Sequence, residues 1–179
     1  MRSVYLGLGT NMNDRDSWLD RGLALLEDEL ASRRSIQSMT CSGRYETEPW
    51  GMEEGTPPFL NMAIAIETDL ALTDLLHIAL EIEKECGRVR DHESKRYMNR
   101  TLDIDVLCTS DNEHWDGVSS EGLSLKVPHP RMMSRRFVLQ PLYDLQADLL
   151  VSGTSIESAL DQCPEKPAVR RRPITSEGT

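Results

Sequence analysis

The stretch Phe59-Leu60-Asn61-Met62-Ala63-Ile64-Ala65-Ile66-Glu67 alternates large apolar residues with smaller or polar ones, the period of two that marks a half-buried β-strand. Leu60, Met62, Ile64 and Ile66 share one face; Phe59, Asn61, Ala63 and Ala65 share the other. Downstream, Leu72, Leu75, Leu76, Ala79 and Ile82 recur at helical spacing, with Asp74 in the first turn, Lys84 in the last and Gly87 placed to cap the end. A further strand follows over Leu102 to Cys108. Upstream of a Pro-, Gly- and Glu-containing loop (46–58), Ser38 to Tyr45 again has period two, with Met39, Cys41 and Tyr45 on one face. Before it, Trp18, Leu19, Gly22, Leu23, Leu26 and Leu30 make a helix, and Val4, Leu6 and Leu8 a strand ending at Gly9-Thr10-Asn11. The order βαββαβ predicts an α+β fold with a ferredoxin-like core, an antiparallel sheet with helices packed on one face. Residues 109–126 read as a surface hairpin or loop anchored by Trp115, and 137–150 and 154–162 as short C-terminal helices. A single domain over 1–163 is expected, with 164–179 a mobile tail because it lacks apolar periodicity.

Composition narrows the function. A formal net charge of -10 disfavours a general nucleic-acid binder, which must neutralise phosphates with a basic surface. The same charge, and the lack of an aromatic-rich central strand, oppose RNA binding on the sheet. No apolar run is long enough to span a bilayer, and the N-terminus moves from a short apolar run into Thr10-Asn11-Met12-Asn13-Asp14 without a signal-peptide cleavage pattern. Cys41, Cys86, Cys108 and Cys163 form no CxxC pair, which is read as reduced thiols in a cytoplasmic protein.

In Thr101-Leu102-Asp103-Ile104-Asp105-Val106-Leu107, strand periodicity turns Leu102, Ile104 and Val106 inward and both carboxylates to the opposite face. Such a pair is either a solvated strand face or a seat for a hard divalent cation such as Mg²⁺, which takes oxygen ligands and keeps waters and substrate phosphates. Cationic residues gather around it in an otherwise acidic chain: Gly87-Arg88-Val89-Arg90, then Arg100, then Lys126, Arg131, Arg135 and Arg136 within an acid-free segment. Arginine forks suit phosphate oxygens, and a triphosphate needs several of them. His129, between two prolines in Val127-Pro128-His129-Pro130, is a phosphate donor, a proton shuttle or a structural histidine. The two phenylalanines, Phe59 and Phe137, lie off the repeating apolar faces; Phe59 beside Asn61 offers an aromatic wall and an amide edge to a flat heterocycle, or else packs in the core.

Together these segments resemble the hydroxymethyl-dihydropterin pyrophosphokinases of folate biosynthesis. The ordered matches are Tyr5-Leu6-Gly7-Leu8-Gly9-Thr10-Asn11, Tyr45-Glu46-Thr47-Glu48-Pro49 with Phe59-Leu60-Asn61, and Ile82-Glu83 through Gly87-Arg88-Val89-Arg90. Arg100 to Asp105 and Val127-Pro128-His129-Pro130 with Arg135-Arg136-Phe137-Val138-Leu139 complete them. The resemblance implies that Asp103 and Asp105 bind two Mg²⁺ ions against ATP as co-substrate, and that Arg88, Arg90 and Arg100 join them in catalysis. It implies ATP contacts from Glu83, His129 and Arg135 as well. It further implies a pterin slot in which Phe59 and Phe137 sandwich the ring and Thr47, Glu48, Trp50 and Asn61 line its edge. The substrate hydroxyl would attack the β-phosphorus and release AMP. Expected partners are therefore ATP and hydroxymethyl-dihydropterin, with no nucleic acid or membrane, the chain acting as a monomer or weak homodimer. The chain departs from the family pattern at Tyr97-Met98-Asn99, where tryptophan and Gly-Pro are usual, in a longer 90–100 loop, at Glu48 in place of a proline, and at Leu80 in place of a polar residue.

Overall fold

The computed structural model describes residues 1–12, 14–49, 55–88, 100–119 and 122–173. Trp50, Arg90, Tyr97, Met98 and Asn99, singled out above, lie outside the described residues. The chain runs β1 (Arg2–Thr10), α1 (Arg15–Ser32), β2 (Ile36–Cys41), β3 (Tyr45–Thr47), β4 (Phe59–Thr68), α2 (Leu72–Glu85) and β5 (Asp103–Thr109). A hairpin of β6 (Trp115–Val118) and β7 (Ser124–Val127) follows, then a 3₁₀ turn at Met132–Ser134 and α3 (Arg136–Leu145). The end comprises β8 (Leu150–Val151), β9 (Thr154–Ser155), α4 (Ile156–Gln162) and β10 (Val169–Arg171).

The main sheet has the order β10-β3-β4-β1-β5, with β2 also paired to β4, and every pairing is antiparallel. The crossovers β1-α1-β2 and β4-α2-β5 each skip one strand, so β1 and β4 become neighbours at the centre. Val4, Leu6 and Leu8 of β1 and Leu60, Met62, Ile64 and Ile66 of β4 face α1 and α2 in one core, as the alternation predicts. Asp14 caps α1, its carboxylate accepting from the Ser17 N–H at 3.2 Å.

The two core helices α1 and α2 share one face of the sheet, as expected, and the expected C-terminal helices add a layer on the other. Tyr5, Ala63 and Leu107, from the other face of the sheet, form a second core with Leu139 and Leu142 of α3 and Ile156 and Leu160 of α4. Small residues such as Ala63 on that face leave room for this second layer. The single strand expected over Ser38–Tyr45 is corrected to two. It breaks at Ser42 and Gly43, where the Ser42 Oγ accepts from the Ala63 N–H at 2.9 Å and the Gly43 N–H donates to Asp144 at 3.0 Å. Cys41 consequently ends exposed while Tyr45 is buried. The expected tail is revised for 164–173: Val169–Arg171 pairs with β3, backbone bonding having no need of apolar periodicity, and residues 174–179 lie outside the described residues. The hairpin expected within 109–126 forms, with Trp115 packed against the first core. Among the described residues no helix is long and apolar enough to cross a membrane.

Candidate active site

The register of the sheet assembles the site. Asp103 of β5 stands opposite Gly9 of β1, which stands opposite Asn61 of β4; one step along, Asp105, Gly7 and Ala63 form the next row. Neighbouring strands lie about 4.8 Å apart, so the acids and Asn61 are separated by about 10 Å of backbone. Gly7 and Gly9 make the floor between them. A Cβ on Gly9 would stand 3.0 Å from the Asn61 Oδ1, and one on Gly7 3.3 Å from Leu107. Here glycine supplies clearance rather than an unusual φ.

The end of α2 delivers the first arginine. Gly87, at φ 79°, lets its own N–H reach the Lys84 carbonyl at 3.0 Å and the Arg88 N–H reach that of Glu83 at 2.9 Å, a Schellman closure. The Arg88 Nη1 then donates to Glu83 at 2.6 Å and to the Asp103 Oδ1. Glu83 is fully buried and also accepts the Ile104 N–H at 2.8 Å, tying α2 to the acidic strand. Glu83, expected as an ATP contact, is buried and holds Arg88. Arg100 is fixed from the other side: its N–H donates to the Asn11 Oδ1 at 2.7 Å, its carbonyl accepts from the Asn11 N–H at 3.1 Å, and its guanidinium donates to the Asp103 Oδ2.

The two acids are electrostatically unequal. Burial pushes the Asp103 carboxyl upward, but Arg100 and Arg88 outweigh it and hold the group below the ordinary carboxylate value. Burial and then the charge of Asp103 raise Asp105, with His129, Arg100 and Arg135 opposing. His129 is lowered by burial, with Asp105 pulling the other way. Its backbone N–H donates to the Leu107 carbonyl at 2.7 Å, and its Nδ1 accepts from the Arg131 N–H at 3.3 Å. The neutral ring therefore carries its proton on Nε2.

Across the glycine floor, the Asn61 Nδ2 donates to the Thr47 Oγ1 at 3.1 Å, and both residues are buried. The Arg135 guanidinium lies 5.5 Å from the centre of the Phe137 ring. One cavity of about 650 Å³ joins the two ends. Arg88, Arg100, Asp103, Asp105, His129 and Arg135 line it at one end, and Thr47, Glu48, Phe59, Asn61 and Phe137 also line it. The cavity takes in Arg131, Ser134, Pro164 and Pro167 as well. Arg131 was legible as part of the basic segment; the two prolines carried no signal until the C-terminal segment folded back.

The donor set fits Mg²⁺ through substrate rather than through a protein cage. Among the described residues no cluster of three or more His, Cys, Asp or Glu forms, and two carboxylates leave most of a six-oxygen sphere to water and phosphate. An acidic pair ringed by arginines, joined to an aromatic and amide pocket, defines a class of protein that handles a phosphorylated nucleotide beside a flat ring.

Comparison with known proteins makes the class specific. The chain belongs to the 7,8-dihydro-6-hydroxymethylpterin-pyrophosphokinase (HPPK) family, whose model matches residues 5–147. It is 41% identical over 145 residues to a 2-amino-4-hydroxy-6-hydroxymethyldihydropteridine pyrophosphokinase of Porphyromonas gingivalis, covering 81% of this chain and 91% of that protein. The enzyme of the same name from Bacillus subtilis is 37% identical over 155 residues, covering 87% and 84%. A solved HPPK-DHPS in complex with substrates shares the fold at a TM-score of 0.65 and 14% identity; the match covers 90% of this chain but 43% of that one. The Plasmodium falciparum HPPK-DHPS triple mutant with pteroate gives 0.62 at 12% identity, again over 90% and 43%.

Proposed function

We propose that this chain transfers the diphosphate of ATP to the hydroxyl of 6-hydroxymethyl-7,8-dihydropterin, giving AMP and the pterin diphosphate in folate biosynthesis, and that the cleft described above carries the reaction. The observation that carries this reading is the joining, in one cavity, of an arginine-bound acid pair and an aromatic-amide pocket across a side-chain-free floor. Asn61 and Thr47 hydrogen-bond the pterin edge, with Phe59 and Phe137 against its faces, and Glu48 and Trp50 join them in binding the substrate. Arg88, Arg100, Arg135 and His129 bind the triphosphate, and Arg90 joins them. Arg88 and Arg100 both donate to Asp103. An entering triphosphate offers these arginines phosphate oxygens instead, which frees the carboxylate as the nucleotide arrives.

Asp103 and Asp105 would hold two Mg²⁺ ions, which would supply charge neutralisation and orient the phosphate oxygens. The hydroxymethyl oxygen forms its bond to the β-phosphorus and gives up its proton. The bond from that phosphorus to the oxygen bridging the α-phosphorus breaks, and AMP leaves with that oxygen. The residues act by positioning and by offsetting charge, and no covalent enzyme intermediate is required. We assign the activity to the cytoplasm, in keeping with the free thiols of Cys41, Cys86, Cys108 and Cys163, and take the working unit as a monomer or weak homodimer. The test is incubation with Mg²⁺, ATP and the pterin alcohol. AMP and pterin diphosphate should appear in equal amounts; ADP alone, or no turnover by folded protein that binds both ligands, would overturn the reading.

A further inference from the structure

The C-terminal segment lies beyond the residues matched by the family model, which stop at 147. It nonetheless reaches the site. At the end of α4, the Leu160 and Cys163 carbonyls accept from the Arg136 Nη1 at 3.3 and 3.2 Å. Arg136 opens α3 between Arg135 and Phe137, so this clamp fixes the start of the segment to the helix that carries one aromatic wall. Pro164 and Pro167 then line the cavity. The segment finishes by pairing β10 with β3, Val169 opposite Thr47, Arg170 opposite Glu46 and Arg171 opposite Tyr45.

Several bonds hold that far end. The Arg172 N–H donates to the Arg44 carbonyl at 2.9 Å and its Nη1 to Asp16 at 2.7 Å. The Arg171 guanidinium stands 3.8 Å from Asp144, which also accepts the Tyr45 hydroxyl at 2.9 Å. β3 is only three residues long, and β10 is its partner on the side away from β4. The strand carrying Thr47 is therefore held between β4 and the returning C-terminus. Prolines suit the intervening span: their ring fixes the backbone and presents an apolar surface with no N–H to satisfy.

We propose that residues 164–172 form a fixed strap that completes the pterin end of the cleft. It bridges the α3 side, with Phe137, to the β3 side, with Thr47, and positions Thr47 for the ring edge. This rests on the pterin reading given above and adds a positioning element to it. The strap residues that line the cavity are Pro164 and Pro167, whose side chains carry no donor for phosphate, so the strap's effect falls on the pterin rather than on ATP.

The test uses two full-length variants, Arg172→Pro, which removes the N–H and the guanidinium that close the strap, and Pro164→Gly/Pro167→Gly, which leaves both anchors and loosens the span. Amide hydrogen exchange across 169–172 reports whether the strap opens in the first. Each should raise the KM for the pterin alcohol by about tenfold while kcat and the KM for ATP stay within about twofold. The second variant keeps the test informative if the first does not fold. A pterin KM within about twofold of the unaltered chain in the folded variants, or a parallel rise in both KM values, would overturn the strap. Failure of the unaltered chain to form AMP would overturn the pyrophosphokinase reading instead, and the strap's role with it.

Discussion

Asp103 and Asp105 occupy alternate positions of one strand yet meet different surroundings. Asp103 is ionised against two arginines, while Asp105 is raised by burial and by Asp103 itself. Both D103N and D105N should lower kcat/KM by about 10²–10³-fold, the usual cost of losing one element of transition-state charge stabilisation. Their stabilities should separate. D103N leaves Arg88 and Arg100 without their shared anion and lowers the ligand-free melting temperature; D105N removes a carboxylate the fold disfavours and leaves that temperature unchanged or higher. AMP release and thermal unfolding without ligand check both. At Tyr45, burial and then the adjacent Asp144 push the phenol from 10.0 up to about 12. The folded state thus favours the protonated phenol: this stabilisation is complete below pH 10 and is lost as pH rises through about 12. Tyr45→Phe should flatten that alkaline loss, read from denaturant midpoints at about pH 9 and about pH 11.

The central strand β1 works through what it lacks. Gly9 leaves space for the Asn61 carbonyl oxygen, so Gly9→Ala should displace the amide and raise the pterin KM by about tenfold with little change in stability. Gly22 of α1 acts elsewhere. A Cβ there would stand 2.6 Å from the Leu102 Cδ2, one residue before Asp103. Gly22→Ala should therefore cost about 1–3 kcal/mol of stability, lowering the melting temperature. The strands and helices around these glycines were legible because β4, α1 and α2 each present a sustained apolar period to one core. The break between β2 and β3 was not. It depends on the Ser42 and Gly43 bonds to Ala63 and to Asp144, about 20 and 100 residues away in sequence.

Across the described residues the main sheet lies between two unequal helical layers. Leu26→Ala, in the layer of α1 and α2, and Leu139→Ala, in that of α3 and α4, should each lose about 2–5 kcal/mol in denaturant unfolding. Only Leu139→Ala should also raise the pterin KM, because its helix carries Phe137 and Val138 into the cavity. The contrast tests whether the second layer is the roof of the cleft or a remote support.

By itself the sequence determined the strand carrying both acids, the helices of the first layer, and the identity of most cavity residues, since local periodicity and ordered motifs report which side chains share a face. That reasoning placed Asp103, Asp105, Asn61 and Phe59 on strand faces without reference to any distant partner. Only the tertiary structure decided that β5 and β4 flank β1 with the glycines between, that Glu83 of α2 accepts the Ile104 N–H of β5, and that Pro164 to Arg172 returns to β3. These are pairings between residues far apart in the chain, made by backbone hydrogen bonds and buried charge, and neither leaves a periodic trace in the segments that form it.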